Sequence, residues 1–179
     1  IIVADPARRE VCELPPGEVG EILCRGPMVT PGYWRNTEAT AAAFVDGWFR
    51  TGDAGRMRED GTLFIVDRLK DMIISGGENV YSAEVENAIS LMPGVAEVAV
   101  IGVPDERWGE RVHAIVVAKP GVTLAAEEIM EHCRDLIAGY KCPRSVDFRD
   151  HPLPLSGAGK VLKRELREPY WRNFTKAVN

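Results

Sequence analysis

The chain has 179 residues, 45% hydrophobic and 27% charged, with a formal net charge of −5, the composition of a globular protein of one domain or two small ones. No apolar run approaches the ~20 residues a membrane-spanning helix needs, and no leader pattern opens the chain. The charge is uneven, net −10 over residues 1–140 and +5 over 141–179, without the strong basic excess and interleaved aromatics of a nucleic-acid binder. The basic segment reads either as a face for an anionic ligand or as a solvated helix face. Cys12, Cys24, Cys133 and Cys142 have neither metal-site nor disulfide spacing and read as thiols of a reducing compartment. His113, His132 and His151 stand singly, which argues against a metal centre in this chain.

In chain order, residues 1–4 and 19–25 read as strands joined by a loop carrying Leu14-Pro15-Pro16-Gly17. Residues 26–34 are loop, punctuated by Pro27, Pro31 and Gly32. Thr37 is the predicted cap of a short Ala-rich helix over residues 38–44. Asp46-Gly47 signals a turn before Trp48-Phe49-Arg50, and Glu59-Asp60-Gly61 a hairpin between strands at 54–58 and 63–66. Short connections without a long helix predict a small barrel-like or curved sheet. The abrupt start at Ile1-Ile2-Val3 reads as mid-strand, so the sequence is expected to be part of a longer chain.

Asp67, Arg68, Lys70 and Asp71 then cluster around one apolar residue, a run suited to a solvated joint. Beyond it come a short strand at 72–74, a Gly76-Gly77 turn, and a helix capped by Ser82 with Val85, Ala88, Ile89 and Met92 on one face. A buried strand at 95–103, a polar loop at 104–110 and a strand at 111–118 follow. Thr123 is the expected cap of a helix carrying Ile129, Met130, Cys133, Leu136 and Ile137 on its apolar face, ended by Gly139 with Pro143 beyond. A strand at 145–148, a Pro/Gly loop at 152–159 and a helix from about Leu162, interrupted at Pro169, complete the chain. The predicted fold class is α+β: a small β-rich, partial-barrel subdomain over 1–67, then a compact α+β domain over 68–179.

Few motifs carry chemistry. Thr51-Gly52-Asp53 places a carboxylate on a tight turn, where it either accepts ribose hydroxyls or closes the turn onto its own backbone. Arg68 suits ribose or phosphate oxygens, or a salt bridge between domains. Ser75-Gly76-Gly77-Glu78-Asn79 is a hairpin turn, a phosphate cradle or a passage for something thin. The run from Pro154 to Gly159-Lys160 superficially looks like a phosphate-binding loop but fails that pattern, since Val161 follows the lysine where Ser or Thr is required. What remains is a lysine on a Gly-rich loop. Trp108 and Tyr140, with Lys141 and Arg144 near in sequence, are either aromatics packed at loop bases or a platform for a purine with cations at its phosphates.

The stretch from Val66 to Glu86, with Thr51-Gly52-Asp53 before it and Gly159-Lys160 after it, resembles the acid-activating superfamily of acyl- and aryl-CoA synthetases, firefly luciferase and peptide-synthetase adenylation domains. The resemblance spans about residues 17–166 and concerns the C-terminal part of such enzymes. It implies a ligase of a fatty or aryl acid that uses ATP, CoA and Mg2+ in the cytoplasm, with the metal ligands in an N-terminal domain absent from this sequence. It implies that Asp53 and Arg68 bind the nucleotide and that Lys70 is the hinge of a C-terminal lid. Gly76 and Gly77 would line the pantetheine passage, Trp108, Tyr140 and Arg144 would hold the CoA nucleotide, and Lys160 would enter the active site for adenylation. The pattern around Lys160 also resembles sites where acetylation of the lysine silences relatives. Cys142 departs from the basic residue such a ligase can carry there. The remaining alternatives are an adenylation domain that loads a carrier protein, a non-enzymatic interaction module, and a luciferase-like oxygenase.

Overall fold

A computed structural model describes residues 1–172 and Phe174, so Lys176 of the basic segment lies outside the described residues. The chain forms two compact units, Ile1–Lys70 and Asp71–Asn179.

The first unit is a curled five-stranded antiparallel sheet. Its elements are β1 (Ile2–Ala4), β2 (Val19–Cys24), α1 (Thr37–Ala43), β3 (Phe44–Val45), β4 (Trp48–Met57) and β5 (Leu63–Arg68). β4 is its spine: β2 pairs along one edge, and β3 and β5 pair with its first and last residues. Two register shifts, at Glu21/Leu23 and Ala54/Gly55, bend the ribbon at Thr51-Gly52-Asp53, which is a bulged stretch inside β4 rather than the expected tight turn, because β2 and β5 pair with the strand on both sides of it. Val3, Ala4, Ile22, Leu23 and Ala54 form its small buried core.

A single 3-10 turn, Leu69–Asp71, spans the boundary, and the second unit contains β6 (Ile73–Ser75), β7 (Glu78–Val80), α2 (Ser82–Ser90), β8 (Val95–Asp105), β9 (Gly109–Ala118), α3 (Ala126–Leu136), β10 (Ser145–Arg149) and α4 (Lys163–Trp171). β9 is central. β8 pairs antiparallel along one edge, while β10 (parallel) and β6 (at Ser75–Gly109) share the other. Alternation along β8 and β9 sends Val100, Val112, Ala114 and Val116 into a cluster with Val85 and Ile89 of α2 and Ile129 and Cys133 of α3. It sends Ala99, Ile101, Val103 and Ile115 into a second cluster with Leu166 of α4. Each such fully buried aliphatic side chain contributes about 1.5–3 kcal/mol. No helix among the described residues is long and apolar enough to cross a membrane.

Local expectations fail where a tertiary partner overrides a cap. Asn36, not Thr37, caps α1, its side chain accepting from the Ala39 N–H at 2.9 Å. Ser82 is the first residue of α2 rather than its cap; its hydroxyl accepts from the Lys163 ammonium at 2.7 Å, a stronger partner than a backbone amide. Thr123 is exposed upstream of α3, whose start is held by the Glu128 carboxylate accepting from the Ala125 N–H at 3.0 Å. α3 closes at Ile137, before Gly139. α4 runs through Pro169, forgoing one backbone bond instead of breaking there. The loop expected at 104–110 shrinks to the three residues between β8 and β9, because those strands pair as far as Asp105 and Gly109. β7, three residues without an alternation signal, exists because the Gly76-Gly77 turn folds it onto β6.

That turn has φ of 63° and 86° at its two glycines, the geometry a two-residue hairpin of this hand requires. A Cβ on Gly76 would lie 2.6 Å from the Trp108 ring, whereas one on Gly77 would meet nothing within 4 Å. Gly77→Ala should therefore cost about 1–2 kcal/mol, the strain of a left-handed residue. Gly76→Ala should cost more, because the indole must also move; urea unfolding of the two variants measures the difference.

His113 lies in β9 at 2% exposure. Its Nδ1 is 2.8 Å from Ser145 Oγ and its Nε2 3.0 Å from the Tyr170 hydroxyl. Tyr170 donates to Asp147, so it accepts from Nε2–H, and Nδ1 accepts from Ser145. Burial, assisted by Arg111 and opposed by Asp147, lowers the imidazole pKa from its ordinary 6.5. A lowered folded-state value means the unfolded chain binds the proton first, so the stability His113 confers is present above about pH 6.5 and lost as pH falls below it. His113→Gln should flatten the slope of unfolding free energy between about pH 7 and 5, where one extra proton is worth roughly 1.4 kcal/mol per pH unit; melts of both proteins across that range test it.

Candidate functional site

The candidate nucleotide residues come from β4 and β5. Asp53 and Arg68 are cross-strand partners, with Arg68 Nε 3.3 Å from Asp53 Oδ1. Both remain accessible, Asp53 at 30% and Arg68 at 48% side-chain exposure, so an exposed carboxylate and a guanidinium stand side by side. Asp53 does not close its own turn. Thr51 Oγ1 accepts from the Asp53 N–H at 3.1 Å and donates to the Ile22 carbonyl at 2.7 Å, which leaves the Asp53 carboxylate facing outward to Arg68. Beneath this bulge lies a residue that no motif marks. Glu21 is buried and receives Arg50 through Nε at 2.8 Å and Nη2 at 2.6 Å, while its other oxygen accepts from the Gly52 N–H at 3.1 Å. A buried carboxylate needs such partners, and stripping one away costs about 3–5 kcal/mol. Glu21 thereby sets the path of the backbone that presents Asp53. Its trace in the sequence is an acid inside the apolar run Val19-Gly-Glu-Ile-Leu-Cys24.

The second group surrounds the turn between β6 and β7. The Gly76 N–H donates to the Trp108 carbonyl at 2.9 Å, and Trp108 packs against Gly76. The Asp105 side chain holds the Trp108 loop, accepting from the Arg107 and Trp108 N–H groups at 2.9 and 3.0 Å. Guanidinium groups lie against the indole, Arg107 at 4.6 Å and Arg144 at 4.5 Å from its centroid. Gly76, Trp108 and Arg144, separate in sequence, thus form one patch: an aromatic plate, two cations and a side-chain-free backbone edge. Tyr140 is 43% exposed with Lys141 5.7 Å from its centroid, and no contact among the described residues joins it to Trp108. Lys141 is engaged elsewhere, with Nζ 2.7 Å from both Glu84 oxygens. Cys142 is buried in the α2/α3 cluster, where desolvation pushes its thiol up, so it faces no ligand. Cys133 is pushed up to about 11 by burial and by its proximity to Cys142, the mark of an inert core thiol.

The third group is Lys160. The loop is a tight turn: the Ser156 N–H donates to the Lys160 carbonyl at 2.7 Å, Ser156 Oγ accepts from the Lys160 N–H at 3.1 Å, and Leu155 bridges Val161. Gly159 adopts φ 74° within it. Lys160 is exposed and makes no ion pair among the described residues, three residues before α4 begins. Lys70 is exposed as the last residue of the first unit. Among the described residues, no three His, Cys, Asp or Glu side chains are grouped to hold a metal ion.

Residues 84–160 match the family model of the AMP-binding enzyme C-terminal domain. Over 157 residues the chain is 53% identical to a feruloyl-CoA synthase of Amycolatopsis sp, covering 88% of this chain and 32% of that protein. It is 47% identical over 167 residues to the fatty acid–acyl-carrier-protein ligase ScoC of Streptomyces coeruleorubidus, covering 93% of this chain and 32% of that one. The crystal structure of ATP-bound MatB from Rhodopseudomonas palustris superposes with a TM-score of 0.87 at 44% identity, over 94% of this chain and 33% of the other. The chain thus spans about a third of the length of the curated relatives it matches. Residues 84–160 belong to the AMP-binding enzyme C-terminal domain family, and in sequence and fold the chain matches the C-terminal part of adenylate-forming acyl-CoA synthetases.

Proposed function

We propose that this chain is the C-terminal part of an AMP-forming ligase that joins a carboxylic acid, fatty or aryl, to CoA. A carboxylate is a poor electrophile. Its oxygen attacks the α-phosphorus of ATP and pyrophosphate leaves; the sulfur of CoA then attacks the acyl carbon of the adenylate, gives up its proton and expels AMP, leaving the thioester. In the first step anionic oxygens converge, and the exposed ammonium of Lys160 neutralises them. Asp53 accepts the ribose hydroxyls, and Arg68 beside it steadies the same sugar or the phosphate. In the second step the Gly76-Gly77 edge admits the pantetheine arm while Trp108 and Arg144 hold the CoA nucleotide, Trp108 by stacking and Arg144 by charge. Tyr140 lies further along that surface. Lys70, where the first unit ends, is the pivot that lets the lid serve each step in turn. Mg2+ would supply charge neutralisation at the ATP phosphates, held by residues of the enzyme outside this chain. Four free thiols suit a cytoplasmic setting.

One observation carries this reading: Gly76, Trp108 and Arg144, 32 to 68 residues apart in sequence, converge on one patch beside a turn with no side chain. The likeness to the acyl-carrier-protein ligase supports a second acceptor, a carrier-bound phosphopantetheine, which presents the same arm without the nucleotide. Trp108→Ala in the full-length enzyme separates the two. With CoA as acceptor its KM should rise about tenfold, the loss of one base–aromatic stack, whereas a carrier acceptor should be little affected. Lys160→Ala should slow adenylation by at least about 100-fold, the scale of losing one preorganised charge partner, while thioester formation from preformed acyl adenylate continues. Carboxylate-dependent ATP–pyrophosphate exchange is expected from the full-length enzyme and not from residues 1–179 alone; exchange by the 179-residue chain would overturn that assignment.

A further inference from the structure

Glu110, the second residue of β9, belongs to none of the groups above. Its side chain is 15% exposed. One oxygen, Oε2, accepts from the Ile74 N–H of β6 at 3.3 Å, and Oε1 accepts from Arg167 Nη2 of α4 at 3.2 Å. Ile74 stands two residues before Gly76, and α4 is the helix into which the Lys160 turn leads. The same carboxylate therefore touches both the strand that ends in the thiol-facing turn and the helix that anchors the adenylation lysine.

The surroundings are shaped to it. A Cβ at position 102 would lie 2.3 Å from Glu110 Oε2, so only glycine in this otherwise β-branched stretch of β8 leaves room for the carboxylate. The Gly102 carbonyl accepts from Trp171 Nε1 at 3.0 Å, and the Trp171 ring lies 5.2 Å from the Arg167 guanidinium. Glu110, Arg167, Trp171 and Gly102 close a ring of contacts across β9, α4 and β8.

We propose that Glu110 is a positioning residue for both half-reactions: its two oxygens hold the Gly76-Gly77 strand and the Lys160 helix to one point of the sheet, so that both working ends of the lid keep a fixed spacing. This rests on the roles assigned above to Lys160 and Gly76-Gly77. With Glu110 at 15% and Arg167 at 28% side-chain exposure, loss of either partner also lowers stability, so rates are read beside stability.

The test uses the full-length enzyme, with adenylation and thioester formation measured separately in single turnovers at saturating substrates. Glu110→Gln keeps the shape but offers an amide hydrogen to one of the two donors. Gly102→Ala leaves Glu110 intact and displaces it. Each should slow both half-reactions by on the order of tenfold, since misplacing a reacting group by ~1 Å costs up to about 100-fold. Both should speed hydrogen exchange at the Ile74 amide. Arg167→Met cuts the arm to α4 alone and should slow adenylation by the larger factor. If Glu110→Gln and Gly102→Ala lower the melting temperature while both rates stay within about twofold of wild type, the residue is merely structural and the proposal fails. Lys160→Ala, run in parallel, separates the two levels of inference. Adenylation lost in Lys160→Ala but intact in Glu110→Gln overturns the clamp alone; adenylation intact in Lys160→Ala overturns the underlying assignment and the clamp with it.

Discussion

The second unit depends on burying β9 on every side. Its faces alternate between two hydrophobic clusters, one edge pairs with β8, and the other is shared by β10 and β6. A strand buried in this way does not tolerate register slip. The functional pieces hang from it. Trp108 immediately precedes it, Gly76 follows the residue paired with Gly109, and the Arg144 N–H donates to the Val112 carbonyl at 2.9 Å. The outer edge of β8 is closed by side chains: Glu86 accepts from the Val100 N–H at 2.7 Å, and Trp171 donates to the Gly102 carbonyl. An edge finished in this way is no template for a further strand.

Charge is handled by the same logic. Ionic groups drawn inward are paired: Glu21 with Arg50, and Glu86 with Lys163, whose Nζ is 2.6 Å away. Lys141 is likewise engaged by Glu84. Lys160 keeps its ammonium in solvent on a tight turn. Among neighbouring lysines of one basic segment, tertiary pairing thus separates a structural cation from one available for chemistry, a distinction that net charge cannot make.

Backbone rigidity, too, is concentrated beside the candidate residues. The first unit bends β4 at two register shifts and anchors Gly52 to a buried carboxylate just where Asp53 emerges. The second pins a turn with two left-handed glycines against Trp108 through a backbone hydrogen bond and ring contact. In both places the candidate group sits on a backbone path fixed by its immediate neighbours.

Much of this was legible in the residues alone. Apolar runs marked β8 and β9, helix-spaced apolar positions marked α3, Glu59-Asp60-Gly61 marked the hairpin into β5, and Gly76-Gly77 marked a turn, because these signals arise between residues a few positions apart. The pairing of Arg68 with Asp53 was among the readings of neither residue, and Glu21 and Glu110 were not singled out at all. Their partners lie far along the chain: Arg50 is 29 residues from Glu21, Arg167 is 57 from Glu110, and Lys163 is 81 from Ser82. The sequence by itself determined where most of the strands and helices lie and where the Gly76-Gly77 turn needs glycine. Only the tertiary structure decided which carboxylate meets which cation and which hydroxyl serves as a cap, because those choices depend on strands brought side by side by burial rather than on any local preference.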